Sequence, residues 1–170
     1  MSQENIKFKN YIEQHTSQSL ETVDQYISIY KIYLEMADRI SSRRERTNSF
    51  FLSINTAIIG FIGYLTGTDK ISGDYILFSL VGLSGIVLSF LWYRIIRSYR
   101  DINNAKFKIV HEIEQKLPLR PFDAEWEAVG RGKNRKLYLP FTHIEVFIPW
   151  IFVSFHIILT VRILILFCFK

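Results

Sequence analysis

Four histidines, one cysteine and a short basic run are the groups in this sequence whose types could do chemistry. The histidines are His15, His111, His143 and His156. A zinc-hydrolase helix needs two histidines one turn apart with a glutamate beside the first. "HEIEQ" at His111 supplies the glutamate without the second histidine, so it reads as a solvated helix face. The single Cys168 excludes an internal disulfide and any multi-cysteine metal centre. No nucleophile has a base at a useful spacing, and no carboxylate pair lies within the apolar segments. The sequence therefore predicts no catalytic residue, no metal, no cofactor and no enzymatic activity.

The basic run is Arg131, Lys133, Arg135 and Lys136. Its chemistry would be phosphate binding, with anionic lipid headgroups as the favoured ligand at a membrane face. The plainer reading is a solvated loop. "GRGK" lacks the strand and the full spacing of a nucleotide-binding loop, and nucleic acid is the least favoured partner.

The elements that must position these groups follow from hydropathy. The chain has 170 residues, 49% hydrophobic, 15% aromatic and with 14 phenylalanines, and the apolar residues come in blocks. Crossing about 30 Å of hydrocarbon takes roughly 20 apolar residues in a helix. Asn48 to Thr66 qualifies, and so does the uncharged "YILFSLVGLSGIVLSFLWY" from Tyr75. Between them lies the turn "GTDKISGD", so the two form a hairpin. "VFIPWIFVSFHIILTVRILILFCF" makes a third span, with Pro149 near its start and Arg162 close enough to its end to extend outward.

Arg39, Arg43, Arg44 and Arg46 precede the first span, and Arg94, Arg97 and Arg100 follow the second. The net charge of +5 is thus concentrated at one end of the hairpin. The excess of cations on the cytoplasmic side of membrane proteins puts both outer ends inside and the turn outside. The N-terminus is then cytoplasmic and the C-terminus periplasmic. The opening "MSQENIKFKNYIEQHTSQS" is polar and has no apolar stretch of the kind a cleavable signal requires.

Beyond the membrane, Ser19 to Arg46 has two apolar stripes at helical spacing. One is Leu20, Val23, Ile27, Tyr30, Leu34 and Ala37; the other is Tyr26, Ile29, Tyr33, Met36 and Ile40. Two stripes exceed what one hairpin partner can cover, so the second is expected to face neighbouring subunits. Ser19 is the expected cap of this helix. Ile95, Tyr99, Ile102, Ile109 and Ile113 share a face after the second span, and Pro118 ends that helix. Asp123 would cap a short helix stopped by Gly130, and "THIE" from Thr142 would open the third span.

Within the spans, Asn55, His156 and Arg162 are the polar groups that need partners. Asn55 and His156 read as interhelical hydrogen-bonding residues. Gly60, Gly63 and Gly67, with Ser79, Gly82, Gly85 and Ser89, read as small faces that let the hairpin helices approach. The expected organisation is a polar segment at 1–18, an amphipathic helix at 19–46, spans at 47–66, 75–93 and 144–170, an external turn at 67–74, a cytoplasmic helix at 94–117 and a cytoplasmic loop at 118–143. The fold class is an all-α integral membrane protein assembled as an oligomeric ring.

Three stretches together resemble a known family: "YKIYLEMADRISSRRERTNSFFLSINTAIIGF", "LWYRIIRSYRDINNAKFKIVHEIEQKLP" and "PFDAEWEAVGRGKNRKLYLPFTHIEVFIPWIF". They are similar to the RipA family of octameric bacterial membrane proteins, over roughly Tyr30 to His156. The resemblance implies an inner-membrane homo-octamer linked to the cell envelope, with membrane lipids and its own copies as partners. It brings no catalytic residues. Scaffold, channel or membrane-perturbing effector, and membrane anchor for nucleic acid are the roles left open.

Overall fold

The computed structural model describes residues 22–68, 75–132 and 144–169. Four α-helices account for most of them: α1 (Val23–Gly67), α2 (Tyr75–Glu114), α3 (Pro121–Ala128) and α4 (Ile148–Cys168). No strand occurs among the described residues. Three of the helices, α1, α2 and α4, are long and apolar enough to cross a membrane. At 45 and 40 residues, α1 and α2 extend about 67 and 60 Å, twice what hydrocarbon requires. Each therefore carries one apolar half and one amphipathic half in a single unbroken rod.

The start of α1 is fixed by Thr22, whose backbone N–H donates to Gln25 Oε1 at 3.4 Å. Ser19, the expected cap, lies outside the described residues. At the far end, Thr68 closes α1 by donating its N–H to the Tyr64 carbonyl at 3.2 Å and its hydroxyl to the same oxygen at 3.0 Å. Thr142, the expected cap of the third membrane helix, lies outside the described residues; α4 itself opens at Ile148. The Phe147 N–H turns back to the Ile144 carbonyl at 3.0 Å, and Pro149 then sits in the first helical turn, where a missing N–H costs nothing.

One face of α2 organises the bundle. Its buried residues Ser79, Gly82, Gly85, Ser89, Trp92 and Ile96 recur every three or four positions. Against that face lie Phe51, Asn55, Ile62 and Thr66 of α1 and Pro149, His156, Thr160 and Ile163 of α4. Most of α4's contact is with α2, and α1 meets α4 much less.

This corrects the expected use of the glycines. Gly82 and Gly85 do not admit α1; they seat Thr160 and His156 of α4, whose side chains a Cβ at either position would strike. Among the described residues, no atom beyond the adjoining backbone of their own helix comes within 4 Å of where a Cβ would stand at Gly60, Gly63 or Gly67 of α1, so they face away from the hairpin. Chain order suggested the wrong pairing because a small-residue stripe shows which face is buried and not against what.

At the arginine-rich end, Phe51 and Trp92 stack with centroids 5.9 Å apart and planes 8° from parallel, and Phe152 of α4 closes on Trp92 at 5.9 Å. With Ile96 they form the hydrophobic core of the bundle. Outside it, Trp150 packs edge-on to Tyr93 at 5.4 Å, and Arg97 donates to the Tyr93 hydroxyl at 3.1 Å. Aromatic rings beside an arginine at one level are the pattern of a membrane–water boundary.

A methyl group at position 85 has nowhere to go without displacing the imidazole. Gly85→Ala is expected to destabilise the protein by about 1–3 kcal/mol, the range for overpacked cores. Thermal unfolding in detergent, monitored by circular dichroism, reads the effect directly. Unchanged unfolding would show that His156 is not seated on Gly85.

Candidate functional site

Hydrocarbon offers no hydrogen bonds, so a polar side chain within a span must find its partner in protein. Asn55, Ser89 and His156, one from each membrane helix, are all fully buried. Asn55 donates from Nδ2 to the Phe51 carbonyl one turn back at 2.8 Å, which fixes the orientation of its amide. Its Oδ1 is then purely an acceptor. Ser89 Oγ donates to that oxygen at 2.8 Å, and His156 Nε2 lies 2.9 Å from it. Because Oδ1 cannot donate, the network assigns the His156 proton to Nε2. The other ring nitrogen, Nδ1, has no hydrogen-bond partner among the described residues and faces Gly85.

The structure thus brings together two of the three intramembrane polar residues singled out in the sequence. Ser89 is the member that sequence reasoning missed; it looked like a spacer within the small stripe. Thr160 and Thr66 satisfy themselves, each donating to a carbonyl one turn earlier at 2.8 and 2.7 Å. Arg162 stands apart on the exposed side of α4.

A second polar node sits near the arginine-rich membrane boundary. Trp92 Nε1 donates to Asn48 Oδ1 at 2.9 Å, and Asn48 Nδ2 reaches Glu145 Oε1 at 3.4 Å. Arg44 Nε is 3.7 Å from the other Glu145 oxygen. The hairpin helices and the segment leading into α4 are therefore tied at this level, as the three helices are at mid-membrane. Between the two nodes stand the stacked rings of Phe51 and Trp92.

The third node lies in the water-side half and centres on Glu114, which is fully buried. Tyr30 of α1 donates its hydroxyl to Glu114 Oε1 at 2.8 Å. The same carboxylate accepts the Phe122 N–H at 2.9 Å and the Asp123 N–H at 3.1 Å. His111 Nδ1 is 3.4 Å from Oε2. Glu114 is thus the cap of α3, supplied from another helix, in the place where a negative charge complements the helix dipole. Phe122 fills the space between Tyr30 and Phe107, edge-on to both at 6.4 and 5.8 Å.

Asp123, the expected cap, lies inside the first turn of α3 instead, and Pro121 opens that helix. Its carboxylate turns to Arg131 at 3.3 Å, and Glu127 binds the same guanidinium. Arg131 adopts a left-handed backbone, φ 52°, between two glycines of positive φ, a conformation rare outside glycine. Of the basic run only Arg131 is described, and two carboxylates hold it; Lys133, Arg135 and Lys136 lie outside the described residues. On the α1 stripe expected to face neighbours, Tyr26, Ile29, Tyr33 and Ile40 are half-buried and Met36 is exposed. Tyr33 is partly covered within its own chain by the Lys106 ammonium, 5.5 Å from the ring centre. Ile32, absent from that stripe as the sequence presented it, is 54% exposed.

Burial first, then the hydrogen bond and negative charge of Glu114, pushes the Tyr30 phenol well above its ordinary value. A group held protonated in the fold adds stability below the unfolded value of about 10, and this is lost as pH rises beyond it. The wild type is accordingly expected to lose helical signal above pH 10, and Tyr30→Phe to flatten that loss. At mid-membrane, a double-mutant cycle of Asn55→Ala and His156→Ala should give a coupling near 0.6 kcal/mol and no more than about 1.7 kcal/mol. Additive effects in that cycle would show that the 2.9 Å contact contributes nothing to stability.

Among curated proteins and among solved structures nothing matches the chain. A model of the octameric membrane protein family (8xMP) matches residues 27–165, which takes in α2, most of α1 and α4, and the Glu114 node. That match supports the octameric membrane family without the RipA label. With three apolar helices and most of its length covered by the match, the chain is a membrane protein that belongs to the octameric membrane protein family.

Proposed function

We propose that the protein is a non-catalytic scaffold: a homo-octamer in a bacterial inner membrane whose water-side helices organise envelope components. Its N-terminus would be cytoplasmic and its C-terminus periplasmic, as the concentration of arginines at one end of the hairpin implies. The observation that carries the reading is Ile32 and Met36, one turn apart on the water-side half of α1 and left 54% and 37% exposed. Met36 is about 18 Å from the start of the first span at Asn48, too far for lipid to cover it. With Ile29 and Ile40 it makes a strip that a neighbouring copy would bury, and the family description supports such copies.

The chemistry inside the protomer favours a scaffold over a channel. The hydrogen-bonding groups of Asn55 and Ser89 are turned onto each other and onto α4. The stacked Phe51 and Trp92 interrupt the polar line between mid-membrane and the boundary. Any conducting path would have to run between subunits. Anchoring of nucleic acid gains no support from Arg131, whose guanidinium is held by Glu127 and Asp123.

Ile32→Cys and Met36→Cys, in a Cys168→Ser background, should form disulfide-linked dimers in isolated membranes under mild oxidation. Asp38→Cys, exposed and about 160° round the helix from Met36, should link at most one-fifth as efficiently. Equal linking at all three positions would remove the strip as an interface. Discrete single-channel conductance steps from the purified oligomer in planar bilayers would overturn the scaffold in favour of a channel.

A further inference from the structure

Arg162 is the only charged side chain in the three described membrane segments, 48–67, 75–93 and 148–168. It points away from the bundle and is exposed. Its end of α4 lies beside the start of α2, where Phe167 packs 5.9 Å from Tyr75, so it is at the opposite membrane boundary from Arg44, Arg94 and Arg97. It lies six positions before the end of the helix at Cys168, about 9 Å of rise. A guanidinium at that depth reaches the headgroup level by extending along the helix. Around it, Ile157, Ile158, Val161, Ile165 and Leu166 line an open groove that is almost wholly aliphatic.

We propose that this surface is a phospholipid site. The Arg162 guanidinium holds the headgroup phosphate through paired N–H donors, a geometry that a planar guanidinium suits and an ammonium does not. One acyl chain lies along the aliphatic groove. The lipid is anionic and belongs to the leaflet on the hairpin-turn side. Charge complementarity selects this occupant: the described spans contain no carboxylate to pair with Arg162, in this copy or in another. The competing occupant is a neighbouring copy reaching Arg162 with Asp69 or Asp74. In the sequence Asp69 adjoins Lys70, and Asp74 lies four residues beyond it. This site is separate from the Met36 strip, so it stands or falls independently of the scaffold reading.

The test uses native mass spectrometry of the full-length oligomer released from detergent with palmitoyl-oleoyl phosphatidylglycerol. The wild type is expected to retain at least one phosphatidylglycerol per subunit more than Arg162→Leu does, with a tenfold or greater drop in occupancy. Arg162→Lys should recover part of that loss. Glycerophosphoglycerol, the headgroup without acyl chains, should not be retained by the wild type; retention of it would identify a phosphate site rather than a lipid site and overturn the proposal. Equal lipid retention by the wild type and Arg162→Leu would also overturn it. So would dissociation into protomers of both Arg162→Leu and an Asp69→Asn, Asp74→Asn double variant, if the double variant keeps its lipid. Should Arg162→Leu fail to assemble, Arg162→Gln serves in its place, and unchanged circular dichroism establishes that the variant is folded.

Discussion

The absence of water from the hydrocarbon core is the constraint on which this structure depends. A backbone confined there must be helical, and a polar side chain there must meet another. Asn55 is the point at which the requirement is met most fully. Its amide is anchored to its own helix through the Phe51 carbonyl, and its oxygen then receives donors from both other membrane helices. A leucine in its place would pack α1 against α2 without specifying rotation or depth. The amide specifies both, because Ser89 and His156 can reach the oxygen at only one register.

From that register the rest of the bundle follows. With His156 directed at Asn55, its ring occupies volume beside α2, and Gly85 is the residue that leaves the volume free. One turn further along α4, Thr160 is brought against Gly82 by the same alignment. One turn from Ser89 in the other direction comes Trp92, whose ring stacks on Phe51 and whose indole N–H meets Asn48. The mid-membrane node and the boundary node are therefore two readings of one helix phase. The water-side node uses different physics. There Glu114 can be buried as an acid only because a hydroxyl, two backbone N–H groups and the positive end of α3 surround it.

How much of this was legible in the sequence varies with the range of the signal. Membrane segments are compositional, and the three apolar runs and their arginine flanks could be read directly. The buried face of α2 was also visible, as small residues at three- and four-residue spacing. Its partner was not: periodicity gives the direction of a face, and the identity of the facing helix depends on which neighbour has side chains that need the space. Asn55 and His156 could be singled out because polar groups are rare in such runs, yet Ser89 was hidden among residues with a simpler explanation. Glu114 gave no local signal. A cap supplied by a residue eight positions away, across a turn, has no fixed spacing to recognise, and the adjacent Asp123 offered a plausible local alternative.

The inward direction of these polar groups determines what remains outside. Once Asn55, Ser89, Thr66, Thr160 and the Nε2 of His156 have found partners within the protomer, the membrane-facing surface presents mainly aliphatic and aromatic side chains, together with Gly60, Gly63, Gly67 and the single charge of Arg162. Lipid solvates such a surface as readily as another helix does, so apolar area alone gives subunits little reason to associate within the bilayer. Association must draw on close fit at the small residues or on surface that water would otherwise wet. The water-side half of α1 has the latter: Ile32 and Met36 lie where no acyl chain reaches, and burying them gains the hydrophobic contribution of about 25 cal/mol per Å² that the membrane half lacks. The long helices thereby divide the work. Their apolar halves set depth and phase within one protomer, and their amphipathic halves hold the surface with the strongest physical reason to be covered by the next.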